Sequence, residues 1–399
     1  MFEQNLFPNL RSLKWNARPD THPIGISLIQ PLLSPRLAVL DFGAHRYDVA
    51  LASFLKACPS RCPLLTAVRF GVRVPGWSEL TDIYSEALCN FENLKVIEIR
   101  TLIRNGALHH LLMSPQLQEF TAHIQRNQLK EFSPPPSAIP LRNIKKLDLT
   151  LSDLRPFIEI LRPGTQHFHE VFIRLLRPEY AAPIESFFNG LASPGHTSHL
   201  QTLSLCGNTS NSRFEDSSTV AVSFNILHSL TCHTNLRQLT INIENPIHLN
   251  DEELVELARN WPLLQTIWIC YVPRSPPPTK YMTFKGLLSL ISVCPDLRDV
   301  GLTLDGKEVP GGGDLKAGSG SKIITKLRFP NSPIHNRPGI VTEFWLRYFP
   351  SLTNVHESGA PLSDPVSALD GYSRRWAIVE MYITHPSKLE SAGENDVEV

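Results

Sequence analysis

The sequence predicts an α/β solenoid: a curved parallel sheet along a concave side, helices along the convex side, in about 13 irregular repeats. Three observations predict it. A short pattern (apolar, two variable, apolar, one variable, apolar) recurs about every 28 residues, most clearly at Leu200-Gln-Thr-Leu203-Ser-Leu205. Its copies begin at Leu10, Leu37, Leu65, Leu94, Leu117, Ile144, Phe168, Leu200, Leu236, Leu264, Leu297, Ile324 and Leu352. A fixed period in this range marks stacked coils that share one core. In eleven copies the last apolar pair alternates at period two, as in Leu40 and Phe42 or Val68 and Phe70, which puts those side chains on one face of a short strand; two copies are imperfect, with Phe120 followed by Ala122 and Val355 by Glu357. Finally, a proline stands two residues before the first apolar position at Pro8, Pro35, Pro63, Pro115, Pro262, Pro295 and Pro350. Proline cannot continue a helix, so each reads as a stop between a helix and the next strand.

Composition sets the limits. A chain of 399 residues would fill two or three ordinary domains. A stacked array has no such limit, because each repeat contacts only its neighbours. The expectation is one array over residues 1–385, with a C-terminal helical cap at about 365–385 and a polar, acidic, disordered tail over 386–399. Lys+Arg 38 balances Asp+Glu 38, so no global field steers the chain to nucleic acid or an anionic membrane. No apolar run is long enough to span a bilayer. The first residues lack the basic and apolar regions of a signal peptide. The cysteines, Cys58, Cys62, Cys89, Cys206, Cys232, Cys270 and Cys294, are odd in number and scattered. Free, mostly buried thiols in an intracellular protein, cytoplasmic or nuclear, are expected.

The elements follow in order. The first strand, Leu10 to Trp15, begins almost at Met1 and leaves no room for the polar-faced cap that terminal repeats require. A partner covering that end, or a preceding segment missing from this chain, is therefore expected. Val49, Leu51, Ala52, Phe54 and Leu55 form a helical stripe ending at Cys58, and Leu80, Ile83, Tyr84, Ala87 and Leu88 form the next. Leu108, Leu111 and Leu112 make a shorter one. Pro156 suits the first turn of a helix through Leu161. Ile184, Phe187, Phe188 and Leu191 follow, then Val220, Val222, Phe224, Leu227 and Leu230. Asn250 and Glu253 have the spacing of a capping box. Phe284 to Ile291 and Val341 to Tyr348 repeat the stripe. The last runs from Pro365 to Thr384 and carries Trp376.

The loops carry little recognisable chemistry. Ser133-Pro-Pro-Pro136 and Ser275-Pro-Pro-Pro278 are short polyproline candidates that read more simply as turns. The glycine-rich stretch from Gly311 to Ser321 has neither the lysine spacing of a P-loop nor the frame of a dinucleotide site. Cys58 and Cys62 have no second pair at zinc spacing, and His167 and His169 flank Phe168 without an evident third ligand, so no metal is expected. No G-x-S-x-G, H-E-x-x-H or Walker A pattern occurs, and neither an enzyme nor a cofactor is expected.

The repeat resembles the leucine-rich-repeat family of the intracellular, irregular strand-and-helix kind. Members of that family carry Asn or Cys three residues after the last strand leucine. Asn208 matches that position, whereas Arg18, His45, Arg73, Leu102, Ser152 and Asp305 stand at it in other copies. These departures, with spacings of 23 to 36 residues between first apolar positions, predict non-uniform curvature. Starts such as Phe7-Pro-Asn-Leu10 are similar to the repeat portion of fungal F-box-type proteins. In that family an F-box binds the Skp1 adaptor of a cullin ubiquitin ligase and the repeats select the substrate. No F-box pattern is visible between Met1 and Leu10.

In such an array the residues between the alternating apolar ones line the concave face and bind the partner. These include Lys14, Asp41, Arg69, Glu98, Arg100, Glu119, His123, Lys146, Asp148, Phe172 and Arg174. Gln238, Asn242, Trp268, Asp299, Lys326 and Arg328 continue the series. Phe172 and Trp268 stand out, because a large aromatic at an outward strand position is either an interface anchor or lies beneath a loop. With Arg69, Glu98, Arg100, His123, Arg174 and Arg328 they are the candidate partner-binding residues; a solvated face is the plainer reading of the mixed charges. The expected function is a non-enzymatic scaffold that recognises a partner protein, as the substrate-recognition part of an F-box-type ubiquitin ligase receptor. The alternatives are a regulatory scaffold unrelated to ubiquitin and an enzyme hosted by loops.

Overall fold

The computed structural model describes residues 6–16, 29–44, 49–72, 78–100, 102–125, 141–161, 167–177, 179–192, 199–207, 221–271, 281–311, 320–330, 332–356, 371–385 and 387. The chain forms two compact units, Met1–Leu176 and Arg177–Val399.

The first unit carries seven strands in sequence order: β1 (Ser12–Asn16), β2 (Val39–Ala44), β3 (Ala67–Val72), β4 (Val96–Ile99), β5 (Glu119–Ile124), β6 (Lys146–Leu151) and β7 (Glu170–Leu175). Each lies parallel to the next, with Leu13, Leu40, Val68, Ile97, Phe120, Leu147 and Val171 in one register row. All seven are buried against the helical side. A shift of one residue in any strand would turn its apolar set toward water, which is why the register is so regular. The helices Val49–Arg61, Ser78–Cys89 and Asn105–Met113 and the single turn Arg155–Ile158 return the chain between strands. Phe42 stacks on Phe54 and Phe70 packs against Tyr84, joining strand to helix.

The second unit carries β8 (Thr202–Gly207), β9 (Val222–Ser223), β10 (Gln238–Ile243), β11 (Ile247–His248), β12 (Thr266–Tyr271), β13 (Met282–Thr283), β14 (Asp299–Leu302), β15 (Leu304–Asp305), β16 (Lys326–Arg328) and β17 (Asn354–His356). The strands β8-β10-β12-β14-β16-β17 lie parallel in that order, and β9 with β11 and β13 with β15 make two small sheets. Helices Ala181–Leu191, Phe224–His228, Asp251–Ala258, Phe284–Val293 and Pro338–Tyr348 back the sheet. In the helix Gly371–Thr384, Trp376 stacks on Phe329 and donates its indole N–H to the Ser332 carbonyl. Both units have the α/β leucine-rich-repeat solenoid architecture, with thirteen main strands at the positions of the thirteen sequence copies.

The recurrent prolines have a sharper role than stopping a helix. Each is the second residue of a four-residue turn closed by a backbone hydrogen bond, as from Leu65 N–H to the Cys62 carbonyl across Pro63 and from Leu264 N–H to the Trp261 carbonyl across Pro262. The same bond spans Pro8, Pro35, Pro115, Pro295 and Pro350. Proline's fixed φ suits that position. The turn swings the chain from the helical layer into the strand. Next, one carbonyl in many of the coils, such as that of Ala38, Lys95 or Gln265, accepts two successive N–H groups of the following coil. Side chains add rungs: Asn93 donates to the Pro63 carbonyl and Asn143 to the Pro115 carbonyl.

Three details differ from the sequence reading or refine it. The first helix continues past Cys58 and through Pro59 to Arg61, held by the buried Phe54, Leu55, Cys58 and Cys62. Val222 lies in β9 and not in a helix; two-residue strands carry no periodicity to read. The capping box at Asn250 and Glu253 forms with both reciprocal bonds at 2.9 Å. Both polyproline candidates, Asn208, most of the glycine-rich stretch, residues 365–370 and all of the C-terminal tail except Ser387 lie outside the described residues.

Candidate partner-binding face

Strand residues that alternate with the buried apolar ones project on the side away from the helices. In the first unit the central outward row is Lys14, Asp41, Arg69, Glu98, Thr121, Asp148 and Phe172, one from each strand in register. Its charges pair across strands. Lys14 Nζ lies 3.2 Å from Asp41, and Arg69 Nε lies 3.6 Å from Glu98. Glu98 also receives Arg100 at 2.7 Å, and Lys146 reaches Glu170 at 3.3 Å. These pairs are partly exposed, so each contributes little stability. Their main effect is to cancel charge along the face.

Asp148 is half-buried within this row. Burial pushes its carboxyl above the ordinary value, and Arg174, Lys146 and Arg100 offset part of that push. His123, one row along the strands, is lowered by burial. His123, Thr150 and Arg174 share a register row. Phe172 is half-buried, and Lys146 Nζ lies 5.7 Å from its ring centre.

The second unit shows a different chemistry. Its central outward row is Ser204, Thr240, Trp268, Gly301, Arg328 and His356. Trp268 and Arg328 face each other across Gly301, with the guanidinium centre 3.9 Å from the indole ring centre. A cation over an indole at this distance is a cation–π contact. Glycine permits it: a Cβ on residue 301 would lie 3.1 Å from both Cδ1 and Cγ of Trp268. The indole N–H donates to Asp299 Oδ1 at 3.0 Å. Trp268 is thus held by a hydrogen bond at its edge, a glycine floor and a guanidinium lid. Arg328 makes no ion pair or hydrogen bond among the described residues, and its Nε is shielded without a partner. Beside this row, Cys206, Asn242 and Cys270 share another; burial pushes the Cys270 thiol far up.

The eight sequence-predicted residues therefore fall into three local groups. Arg69, Glu98 and Arg100 form one ion-pair cluster; His123, Arg174 and Phe172 line neighbouring strands of the same unit; Trp268 and Arg328 stack on each other in the second unit. A cation lies over each outward aromatic, Lys146 from the adjacent strand over Phe172 and Arg328 from two strands away over Trp268. Gly301 and Asp299 complete the Trp268 setting. Gly301 was not picked out in the sequence, although a glycine inside a strand pattern signals close approach of another group.

All seven cysteines are free. Cys58 is held well above the ordinary thiol value by its hydrogen bond to Cys62 and by burial, and Cys62 is lowered by the same bond. Cys294 Sγ lies 3.7 Å from the Ala258 and Trp261 carbonyls, and burial pushes it up to about 11. These are packing thiols. Among the described residues no group of three or more His, Cys, Asp and Glu side chains could hold a metal, and no helix is long and apolar enough to cross a membrane.

No protein-family model and no curated protein matches the chain. Among solved structures, the chain is similar to the crystal structure of the Rad7 and Elc1 complex in yeast, with a TM-score of 0.47 and 13% identity over 91% of this chain and 80% of that one. It is also similar to the leucine-rich repeat-containing protein LegL7 from Legionella pneumophila, with a TM-score of 0.30 and 11% identity over 94% of this chain and 98% of that one.

Proposed function

We propose that the chain is a non-enzymatic intracellular scaffold that binds a partner protein on the strand face. The observation that supports this most is the Trp268–Arg328 stack, a preordered aromatic and guanidinium pair on the side of the sheet away from the helices. Tryptophan and arginine dominate interface hot spots because they combine large buried area with directed polar contacts. Phe172, with Arg69, Glu98, Arg100, His123 and Arg174 around it, offers a second contact area in the first unit.

The test is affinity capture with quantitative mass spectrometry, comparing wild type with Trp268→Ala and Phe172→Ala. Proteins recovered with wild type are expected to be depleted in at least one variant. An unchanged set of partners in both variants would remove the strand face as the binding surface. A substrate-receptor role in an F-box-type ubiquitin ligase is the finer form of this reading, and it rests on the resemblance of the repeat starts. Direct binding of Skp1 to the full chain supports that form. Its failure favours a scaffold without a ubiquitin connection.

A further inference from the structure

We infer that Arg328 receives one acidic side chain, Asp or Glu, from an extended partner segment lying on the second unit's strand face. The inference rests on the reading of that face as a protein-binding surface and names the chemistry of what binds there.

The first support is charge. On the first unit's face, Lys14, Arg69, Arg100 and Lys146 each have a carboxylate within 4 Å. Arg328 has none among the described residues and no hydrogen bond either. Its register neighbours are Gly301 and His356, and Ser204, Thr240, Asn242 and Thr266 further along the face are uncharged. The Nε is shielded, so an incoming group meets the two terminal nitrogens end-on. Two parallel N–H donors match the two oxygens of a carboxylate, and such charge-assisted pairs are about twice as strong as neutral ones.

The second support is order. A free arginine loses rotamer freedom when it binds, and that loss weakens binding. Here the guanidinium centre already lies 3.9 Å from the ring centre of Trp268, whose indole is pinned by Asp299 and floored by Gly301. The receptor is preorganised by residues from three adjacent strands, β12, β14 and β16.

The third support selects carboxylate over phosphate. Asp299 stands in the same cluster as a fixed acceptor, and the other basic residues on β16 and its neighbour β17 are Lys326, on Arg328's own strand, and His356, opposite it in register. A dianion would be repelled by Asp299 with one arginine to offset it. A monoanion gains the bidentate contact with half of that repulsion.

The test begins with a random phage-displayed peptide library, without acidic bias, selected on the full chain. Selected peptides are then made as fluorescein conjugates and measured by anisotropy against wild type, Arg328→Gln, Arg328→Lys, Trp268→Ala and Phe172→Ala. Near-ultraviolet circular dichroism and Tm check that each variant is folded. We expect enrichment of Asp or Glu. Glu→Gln in the peptide and Arg328→Gln in the protein should each weaken binding by about tenfold, with no further loss when combined. Arg328→Lys, which keeps charge but loses the planar fork, should fall between. Peptides lost in Trp268→Ala or Phe172→Ala but indifferent to Arg328→Gln would overturn the carboxylate assignment and leave the protein-binding reading standing. Phosphoserine replacing the peptide's acid and binding about tenfold tighter would reassign the site to phosphate. Peptides indifferent to every strand-face variant, or a selection that yields none, would overturn both readings.

Discussion

The strand faces of the two units share a backbone and differ in chemistry. In both, parallel strands in strict register present a central outward row. In the first unit that row is a ladder of opposite charges, with Lys14 on Asp41 and Arg69 on Glu98. In the second it is Ser204, Thr240, Trp268, Gly301, Arg328 and His356. The difference teaches that exposure of a basic residue says little about availability. Arg100 is exposed yet committed to Glu98, whereas half-buried Arg328, among the described residues, meets only an aromatic ring. Charge cancelled within the face makes a surface that is soluble and unselective. Charge left unpaired on a fixed ring makes one that discriminates.

That comparison can be broken or sharpened by substitution. The largest effects should fall on the cores, where the two units are alike. Phe70→Ala in the first unit and Trp345→Ala in the second each remove a fully buried ring. Each should cost about 3–5 kcal/mol in urea denaturation. Very unequal costs would show that the units differ beneath their faces as well as on them.

A matched glycine pair comes next. Gly301→Ala places a Cβ 3.1 Å from the Trp268 ring, while at Gly71 the nearest atom to an added Cβ is 4.0 Å away. We expect Gly301→Ala to lose about 1 kcal/mol and to alter the near-ultraviolet signal of Trp268. Gly71→Ala should be neutral or gain up to about 1 kcal/mol from the stiffer unfolded chain. Equal responses would mean that the indole does not depend on the glycine floor.

A smaller effect concerns pH in the first unit. Burial raises the Asp148 carboxyl, so the folded state holds that proton more tightly than the unfolded chain. The stability it contributes is complete below the ordinary carboxyl value of 3.8 and is lost as pH rises through the raised one. Asp148→Asn should therefore be at least as stable as wild type at neutral pH, by about 2 °C in Tm, with the advantage vanishing in acid. His123 has the opposite sign: burial lowers it, and its contribution is lost as pH falls below 6.5 toward the lowered value. The smallest effects belong to the ion-pair ladder. Lys14→Ala and Arg69→Ala should each change stability by less than about 0.5 kcal/mol, and less still in high salt.

Several features were legible because they are local. Alternation at period two marks the outward and inward residues of a strand whatever surrounds it, so Leu203 and Leu205 could be assigned to the core and Trp268 to the face from the chain alone. Asn250 and Glu253 announced a capping box because both partners lie within one turn. The seven prolines announced boundaries for the same reason, although their place in a hydrogen-bonded turn needed the backbone. The strands β9 and β13 were not legible, since two residues make no period.

Short-range spacing is enough to say which side chains face the helices and which face away, because strand and helix geometries read it directly. Only the tertiary structure decided which outward residues meet. Strand starts are separated by 23 to 36 residues, and no local rule says that Arg328 will lie over Trp268 or that Gly301 will leave room between them. That meeting is set by the order and register of neighbouring strands, which are properties of the whole stack. It also decides which cations meet a carboxylate, as Arg69 does, and which meet a ring, as Arg328 does.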